Sequence, residues 1–388
     1  MADGFTMRQA QEIRGEYELG RAPAVDPLTN YLEGSWNGSK ASVALAIFED
    51  ASVSTDRIFA AAEERCQVAK GNNRETFVPI FVTNHCDSEC LMCGMRGGNA
   101  KLVRKFSGKR LIEDQLSILY HDEKVRACGF LTGEYEGSFT RLANAFYIGW
   151  AIRTALDMGF EKVFYNIGSM TPAEIDVLGD WVRTDERVTM CVFQETYDRR
   201  AYERFMGRKT AEVPKSDFDQ RLRSFDHWLD AGHLDVNPAF LVGLSEPGTD
   251  LAVLVSHIEH LAARGARVNM SLPRLRPALG SDTRSKVDDD TYVRVIATLA
   301  LMFPQFPIIL TTRETAEFQE RVLPIIGSVS PGSPDVSPYA RRAEARNDAA
   351  SSQFLIPDHR RPAEVLGRLE QRGYRVQYFE GQGATTAS

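Results

Sequence analysis

The sequence predicts an α/β protein, a (βα)8 barrel of the TIM type, on three observations. Short apolar, β-branched runs recur through the middle of the chain, and stretches of helical periodicity alternate with them. The unusual polar residues gather just past the ends of the apolar runs. A barrel of this kind keeps its chemistry at the C-terminal ends of its strands, so the third pattern is the one the fold demands.

Taken in order, residues 1–75 read as a helical N-terminal extension, with apolar spacing of helical period over 41–48 and 55–66. Strands are expected at 77–83, 127–132, 162–167, 189–193, 235–242, 267–272, 307–311 and 325–330. Helical patterns intervene at 113–120, 141–158, 218–231 and 251–264. The barrel is therefore assigned to 76–335. Residues 336–388 form a C-terminal extension expected to pack on it, rich in Pro, Ser, Arg and Asp up to Ser352. A helix follows at 363–371, an apolar patch at 376–379, and an end expected to be disordered.

Composition bounds the partners. The chain has 388 residues, 43% hydrophobic and 26% charged, with a net charge of −7, so no general attraction to nucleic acid is expected. The longest apolar run, 295–303, is too short to span a bilayer, and residues 1–20 contain no apolar core of a signal peptide. A cytoplasmic protein, not bound to membrane, is the expectation, and scattered single cysteines suit that reducing compartment.

Three of the six cysteines are not scattered. Cys86, Cys90 and Cys93 lie in the run Cys-Asp-Ser-Glu-Cys-Leu-Met-Cys just after the first strand. Three thiolates on one loop can hold three irons of a 4Fe–4S cluster and leave the fourth iron open to a ligand. Two other readings compete. Spacing i, i+4, i+7 could place the three as buried thiols on a helix face, but Gly94, Gly97 and Gly98 make a continuing helix costly. A zinc-stabilised, non-catalytic binding protein would need four ligands, and no second cysteine pair exists; His85 adjoins Cys86 too closely to share its metal. Cys66, Cys128 and Cys191 are most simply core residues.

Past the other strands stand Thr132-Gly133-Glu134, Asn166 to Ser169, Gln194-Glu195-Thr196-Tyr197, Pro273 to Pro277, Thr312-Arg313-Glu314 and Ser330 to Ser333. Arg313 leaves strand seven at the mouth with Ser330 beside it. A guanidinium fork there suits a carboxylate; its alternative is a local ion pair with Glu314. Arg274 and Arg276 read as structural.

These motifs together resemble the radical S-adenosylmethionine (SAM) aromatic amino-acid lyases, over roughly residues 40–375. Cys86 to Cys93, Gln194 to Tyr197, Pro273 to Pro277 and Thr312 to Glu314 are common to that family. Further runs are similar to its tryptophan-cleaving branch, the 3-methyl-2-indolic acid synthases of nosiheptide-type thiopeptide biosynthesis. These are Thr83-Asn84, Cys86-Asp-Ser-Glu-Cys90, Lys105 to Gly108, Gly129 to Tyr135, Asn166 to Met170, Ser330 to Asp335 and Glu344 to Asn347. Met92 departs from the aromatic residue usual before the third cysteine. Phe81 and His85 stand where that branch has tyrosines. No cysteine follows Cys191, which sets aside the second cluster of the hydrogenase-cofactor relatives.

The resemblance implies a 4Fe–4S cluster on Cys86, Cys90 and Cys93, with SAM chelating the open iron and cleaved to a 5′-deoxyadenosyl radical. It implies SAM contacts from Thr132, Gly133, Glu134, Asn166, Ser169, Glu195 and Arg221, and substrate contacts from Phe81, Arg313 and Ser330. An external electron donor of flavodoxin or ferredoxin type is implied too. The expected reaction converts L-tryptophan to 3-methyl-2-indolic acid: hydrogen abstraction from the amino group, scission of Cα from the carboxylate, and carboxyl migration to indole C2. The alternative is a tyrosine-type lyase cutting Cα–Cβ to give dehydroglycine and p-cresol.

Overall fold

The structure, a computed structural model, describes residues 4–7, 10–20, 25–210, 214–341 and 348–376. Helices α1 (Ala10–Gly20), α2 (Pro27–Leu32), α3 (Lys40–Glu49) and α4 (Thr55–Lys70) precede the first strand. Strands β1 (Asn73–Thr76), β2 (Val78–Phe81), β3 (Ala127–Leu131), β4 (Lys162–Asn166), β5 (Val188–Glu195) and β6 (Asp235–Phe240) follow. The series continues with β7 (Arg267–Val268), β8 (Met270–Ser271), β9 (Ile308–Thr311), β10 (Ser328–Ser330) and β11 (Arg375–Val376). Between them lie α5 (Lys109–Ser117), α6 (Ser138–Met158), α7 (Pro172–Val182), α8 (Arg199–Met206), α9 (Phe218–Asp230), α10 (Pro247–Ala263), α11 (Asp289–Met302) and α12 (Ala316–Val322); α13 (Pro362–Gln371) precedes β11.

Every strand pairing is parallel, in the order β11-β1-β10-β9-β8-β6-β5-β4-β3-β2, with β7 on β6. β1 with β2, and β7 with β8, each make one stave, so with β3, β4, β5, β6, β9 and β10 the barrel has eight. The ring closes at its base, where Glu75 and Thr76 of β1 register with Ser328 and Val329 of β10. Above Phe77 the two staves part, and the gap is bridged by Val336 against Phe81. The first strand is therefore longer than its apolar run suggested: it begins at Asn73, on polar residues that lie inside the barrel base. Helices that follow strands begin on short polar caps, among them Thr171, Asp198, Asp217, Asp288 and Thr315, each accepting a backbone N–H of the first turn.

The barrel interior is layered. Lys162 pairs with Glu75 at 3.4 Å in the base. Above it Phe77, Phe164, Cys191, Phe193 and Ile309 form an apolar floor, with Phe77 and Phe164 stacked at 4.2 Å. Gly129 makes that stack fit, because a Cβ there would lie 3.2 Å from the Phe77 ring. The larger core lies outside the staves, where β-branched residues meet the helices. The C-terminal extension returns over the mouth: Ala350 O accepts from Val103 N at 2.8 Å and Ser351 O from Asn84 Nδ2 at 2.8 Å. Among the described residues no helix is long and apolar enough to cross a membrane. The runs 344–347 and 377–388 lie outside the described residues; of the apolar patch, Val376 pairs beside β1.

Candidate active site

A cavity of about 190 Å³ opens at the C-terminal end of the staves, above the apolar floor. Cys86, Cys90 and Cys93 all line it, on a loop without helical hydrogen bonding, so the reading of three thiols on a helix face fails. Glycines allow the wrap. A Cβ on Gly97 would lie 2.8 Å from the Glu89 carboxylate, and one on Gly94 would lie 2.7 Å from Gln353 O. Gly133 is the tightest: its Cβ would meet His85 O at 2.1 Å and Cys86 Cβ at 2.6 Å. Only glycine lets the Thr132-Gly133-Glu134 turn nest against the cysteine loop.

The sulfurs fit a cluster better than a single ion. Backbone N–H groups point at two of them, Glu134 N to Cys86 Sγ and Met95 N to Cys93 Sγ, each at 3.4 Å. Gln353 Nε2 donates to Cys93 Sγ at 3.5 Å. Such donors stabilise cluster-bound thiolates. Burial raises the Cys86 thiol to about 11, with the Cys93 charge adding to it. Burial likewise pushes Cys90 well up; Lys215 opposes this, while Cys93 and Cys86 add to it. Three neighbouring sulfurs, Cys90 buried and Cys86 and Cys93 half-buried, repel one another as thiolates and call for shared positive charge, which iron supplies. Among the described residues no group of three or more His, Cys, Asp or Glu side chains is gathered for one metal ion. A 4Fe–4S cluster needs no such gathering, because it spreads its ligands over separate irons.

The acids expected to meet SAM are held by cations. Glu134 makes a very short ion pair with Arg221, whose guanidinium also donates to Phe193 O and to the Tyr202 hydroxyl, both at 3.2 Å. Burial alone would lower the Arg221 pKa; Glu134 and Tyr202 more than offset it and leave it raised. Glu195 sits at φ +70 on a bulge in β5 and is paired with Lys215 at 2.5 Å. A non-glycine residue in that region is strained, and here the strain turns the carboxylate into the cavity. Asn166 lines the wall. Ser169 is buried behind it, its N–H 3.4 Å from Glu134 Oε2 and its hydroxyl without a partner among the described residues. The Thr132 hydroxyl turns away, accepting from Asn144 and donating to its neighbour's carbonyl; what Thr132 offers the cavity is backbone.

Across the cavity, Phe81, Arg313 and Ser330 line the wall together. Glu314 does not pair with Arg313; it is held by Arg274 and Arg276, each at 2.5 Å. Those two arginines fix Glu314, and Arg276 also lines the cavity. The Arg313 guanidinium lies 3.5 Å from the Phe354 ring centroid and has no acid partner among the described residues. Burial pulls its pKa down to about 10, against the pull of Glu195 and Cys93. Lys215, Tyr202, Gln353 and Phe354 gave no signal in the sequence: each is an ordinary residue in an ordinary stretch until the chain folds.

Residues 271–375 match the Biotin and Thiamin Synthesis associated domain, from β8 to β11. The chain is 28% identical over 319 residues to the 2-iminoacetate synthase of Escherichia coli (strain K12), covering 78% of this chain and 77% of that one. It is 28% identical over 327 residues to the Salmonella typhimurium (strain LT2) 2-iminoacetate synthase, covering 78% and 81%. HydG, a maturase of the FeFe-hydrogenase, superposes with a TM-score of 0.81 at 26% identity, over 95% of this chain and 80% of its own. Methylornithine synthase (PylB) shares the fold, with a TM-score of 0.69 at 16% identity over 90% of this chain and 97% of its own.

A parallel barrel with three cysteines converging at its mouth defines the class. The chain is a radical SAM enzyme, a carbon–carbon lyase, and its cofactors are a 4Fe–4S cluster and SAM. Within that class the comparisons support the aromatic amino-acid lyases.

Proposed function

We propose that this enzyme fragments an aromatic L-amino acid whose carboxylate is held by Arg313 and Ser330. The observation that carries the reading is Arg313 itself: a guanidinium in the cavity, desolvated and without an acid partner among the described residues. Burying a charge unpaired is costly, and a substrate carboxylate offsets that cost with two parallel hydrogen bonds. Phe77, Pro79, Phe81, Phe193, Leu241 and Ile309 supply an apolar wall for the ring. Cys86, Cys90 and Cys93 would hold the cluster, and Thr132, Gly133, Glu134, Asn166, Ser169, Glu195 and Arg221 would hold SAM. When bound, these cofactors supply a carbon-centred radical that removes a hydrogen atom, so the site needs no nucleophile–base pair. The protein's part is to fix one substrate hydrogen within reach and exclude water.

Tyrosine cleavage at Cα–Cβ is the outcome the relatives support best. Its product dehydroglycine is 2-iminoacetate, the compound for which both curated relatives are named. The expectation of tryptophan stands second. It rests on the likeness of runs such as Gly129 to Tyr135 and Asn166 to Met170 to the tryptophan-cleaving branch. Anaerobic reconstitution with iron, sulfide, SAM and dithionite, then mass spectrometry with each amino acid, decides. p-Cresol from tyrosine supports the first reading and 3-methyl-2-indolic acid from tryptophan the second. Failure to release 5′-deoxyadenosine with any aromatic amino acid would sink both.

A further inference from the structure

Arginines at the mouth of this barrel are fixed in different ways. Arg221 and Arg274 are held by their edges. The N–H groups of Arg221 go to Glu134, Phe193 O and the Tyr202 hydroxyl, and those of Arg274 to Glu314 and Asp289. Arg274 also lies over the Tyr292 ring, but at 4.7 Å and with its edge occupied. Arg313 is held by its face. Its guanidinium carbon lies 3.5 Å from the Phe354 ring centroid, and among the described residues no protein acceptor takes its side-chain N–H groups. The hydrogen bond Arg313 does donate comes from its backbone, N–H to Thr311 Oγ1 at 3.2 Å.

Phe354 is itself placed by the walls of the mouth. It lies in the C-terminal extension, in a stretch without helix or strand, yet the residues on either side of it are tied to three loops. Gln353 N donates to Pro334 O at 3.2 Å, past the end of β10, and Gln353 O accepts from Gly94 N at 3.0 Å, on the cysteine loop. Leu355 N donates to Pro277 O at 2.8 Å, past the end of β8. The ring between them is half-buried and lines the cavity with Arg313.

The two ways of fixing a guanidinium differ in what they leave behind. A salt bridge orders the group and occupies the donors that order it. A ring against its face also orders it, and the N–H groups stay free at the edge. An arginine side chain has rotamer freedom to lose on binding, and an anchor ordered beforehand does not lose it at that moment.

Resting on the reading that Arg313 takes the substrate carboxylate, we propose that Phe354 is a positioning residue for that anchor. Its ring holds the guanidinium before substrate binds and leaves the fork edge open to the cavity, so the C-terminal extension completes the amino-acid site.

The test uses the reconstituted full-length chain and reads iron content, SAM affinity, and the affinity for L-tyrosine and L-tryptophan by calorimetry. Phe354→Leu removes the ring and keeps an apolar side chain. It is expected to keep its iron and its SAM affinity and to bind the amino acid about tenfold more weakly, as loss of one desolvated cation–π contact gives. Phe354→Tyr keeps the ring and should retain the parent affinity. In an Arg313→Met background, Phe354→Leu should bring no further loss, because the ring then has no guanidinium to hold. Phe354→Met, unbranched and able to fill an irregular gap, makes the same comparison if Phe354→Leu fails to assemble its cluster. Parent-like amino-acid affinity in Phe354→Leu, or an equal loss in the parent and Arg313→Met backgrounds, overturns the proposal. So does a fall in SAM affinity as large as the fall for the amino acid, which is what a general disturbance of the mouth would give. Parent-like affinity in Arg313→Met alone, or a parent chain that binds neither amino acid, overturns the reading beneath it instead.

Discussion

The two sides of the cavity treat charge in opposite ways. On the β3–β5 side, Glu134 is paired with Arg221 and Glu195 with Lys215, and the guanidinium of Arg221 donates to two further acceptors. On the β9–β10 side, Arg313 stands against the face of Phe354 with no acid partner among the described residues. The first side is balanced before anything binds, so it is rigid and its geometry is set by the fold. The second carries an unmet charge, so its free energy is lowered only when an anion arrives. The difference separates a surface built to orient a constant cofactor from one built to select a substrate.

The largest effects test the loop that both sides share. Alanine at Cys86, Cys90 or Cys93 should abolish 5′-deoxyadenosine release, because each holds its own iron. Alanine at Cys66, Cys128 or Cys191 should leave the iron content unchanged. A triad variant with full iron and full SAM cleavage would remove the basis for the whole comparison.

Next comes the balanced side. Arg221→Met leaves Glu134 buried without its partner, and a loss of about 3–5 kcal/mol in denaturant unfolding is expected, together with weaker SAM binding. Arg313→Met should do the reverse. It removes an unpaired, half-buried charge, so stability should hold or rise, while amino-acid affinity measured by calorimetry should fall by about 2–5 kcal/mol. If both variants lost stability alike, the two sides would not differ as described.

Smaller effects sharpen the substrate side. Arg313→Lys keeps the charge and loses the fork, so binding should weaken less than in Arg313→Met, with a shift in product ratio as the carboxylate loosens. Phe81→Tyr adds one hydroxyl to the aromatic wall without changing its shape. The expected outcome is a changed ratio of full product to fragments, with the accepted amino acid unchanged. Identical ratio and rate to the parent would leave Phe81 as packing.

Much of this was legible in the chain because it is local. Apolar strands alternating with helices, three cysteines within eight residues, and polar residues past strand ends are all properties of adjacent positions, and all three reappear in the folded protein. The errors were local too. The first strand begins at Asn73 rather than at the apolar run, because its early residues line a polar barrel base; the sixth breaks at Asn269 into β7 and β8.

What the sequence by itself determined is therefore the order of elements and the type of chemistry at the cysteine loop. Only the tertiary structure decided which charges meet. Arg221 and Glu134 are 87 positions apart, and Arg313 and Phe354 belong to different segments of the chain. Periodicity reports which face of an element is buried, but a contact between distant segments depends on stave register and on how loops return across the mouth. Whether an arginine is satisfied or waiting for a ligand is a property of those returns, and no pattern of neighbours in the chain encodes it.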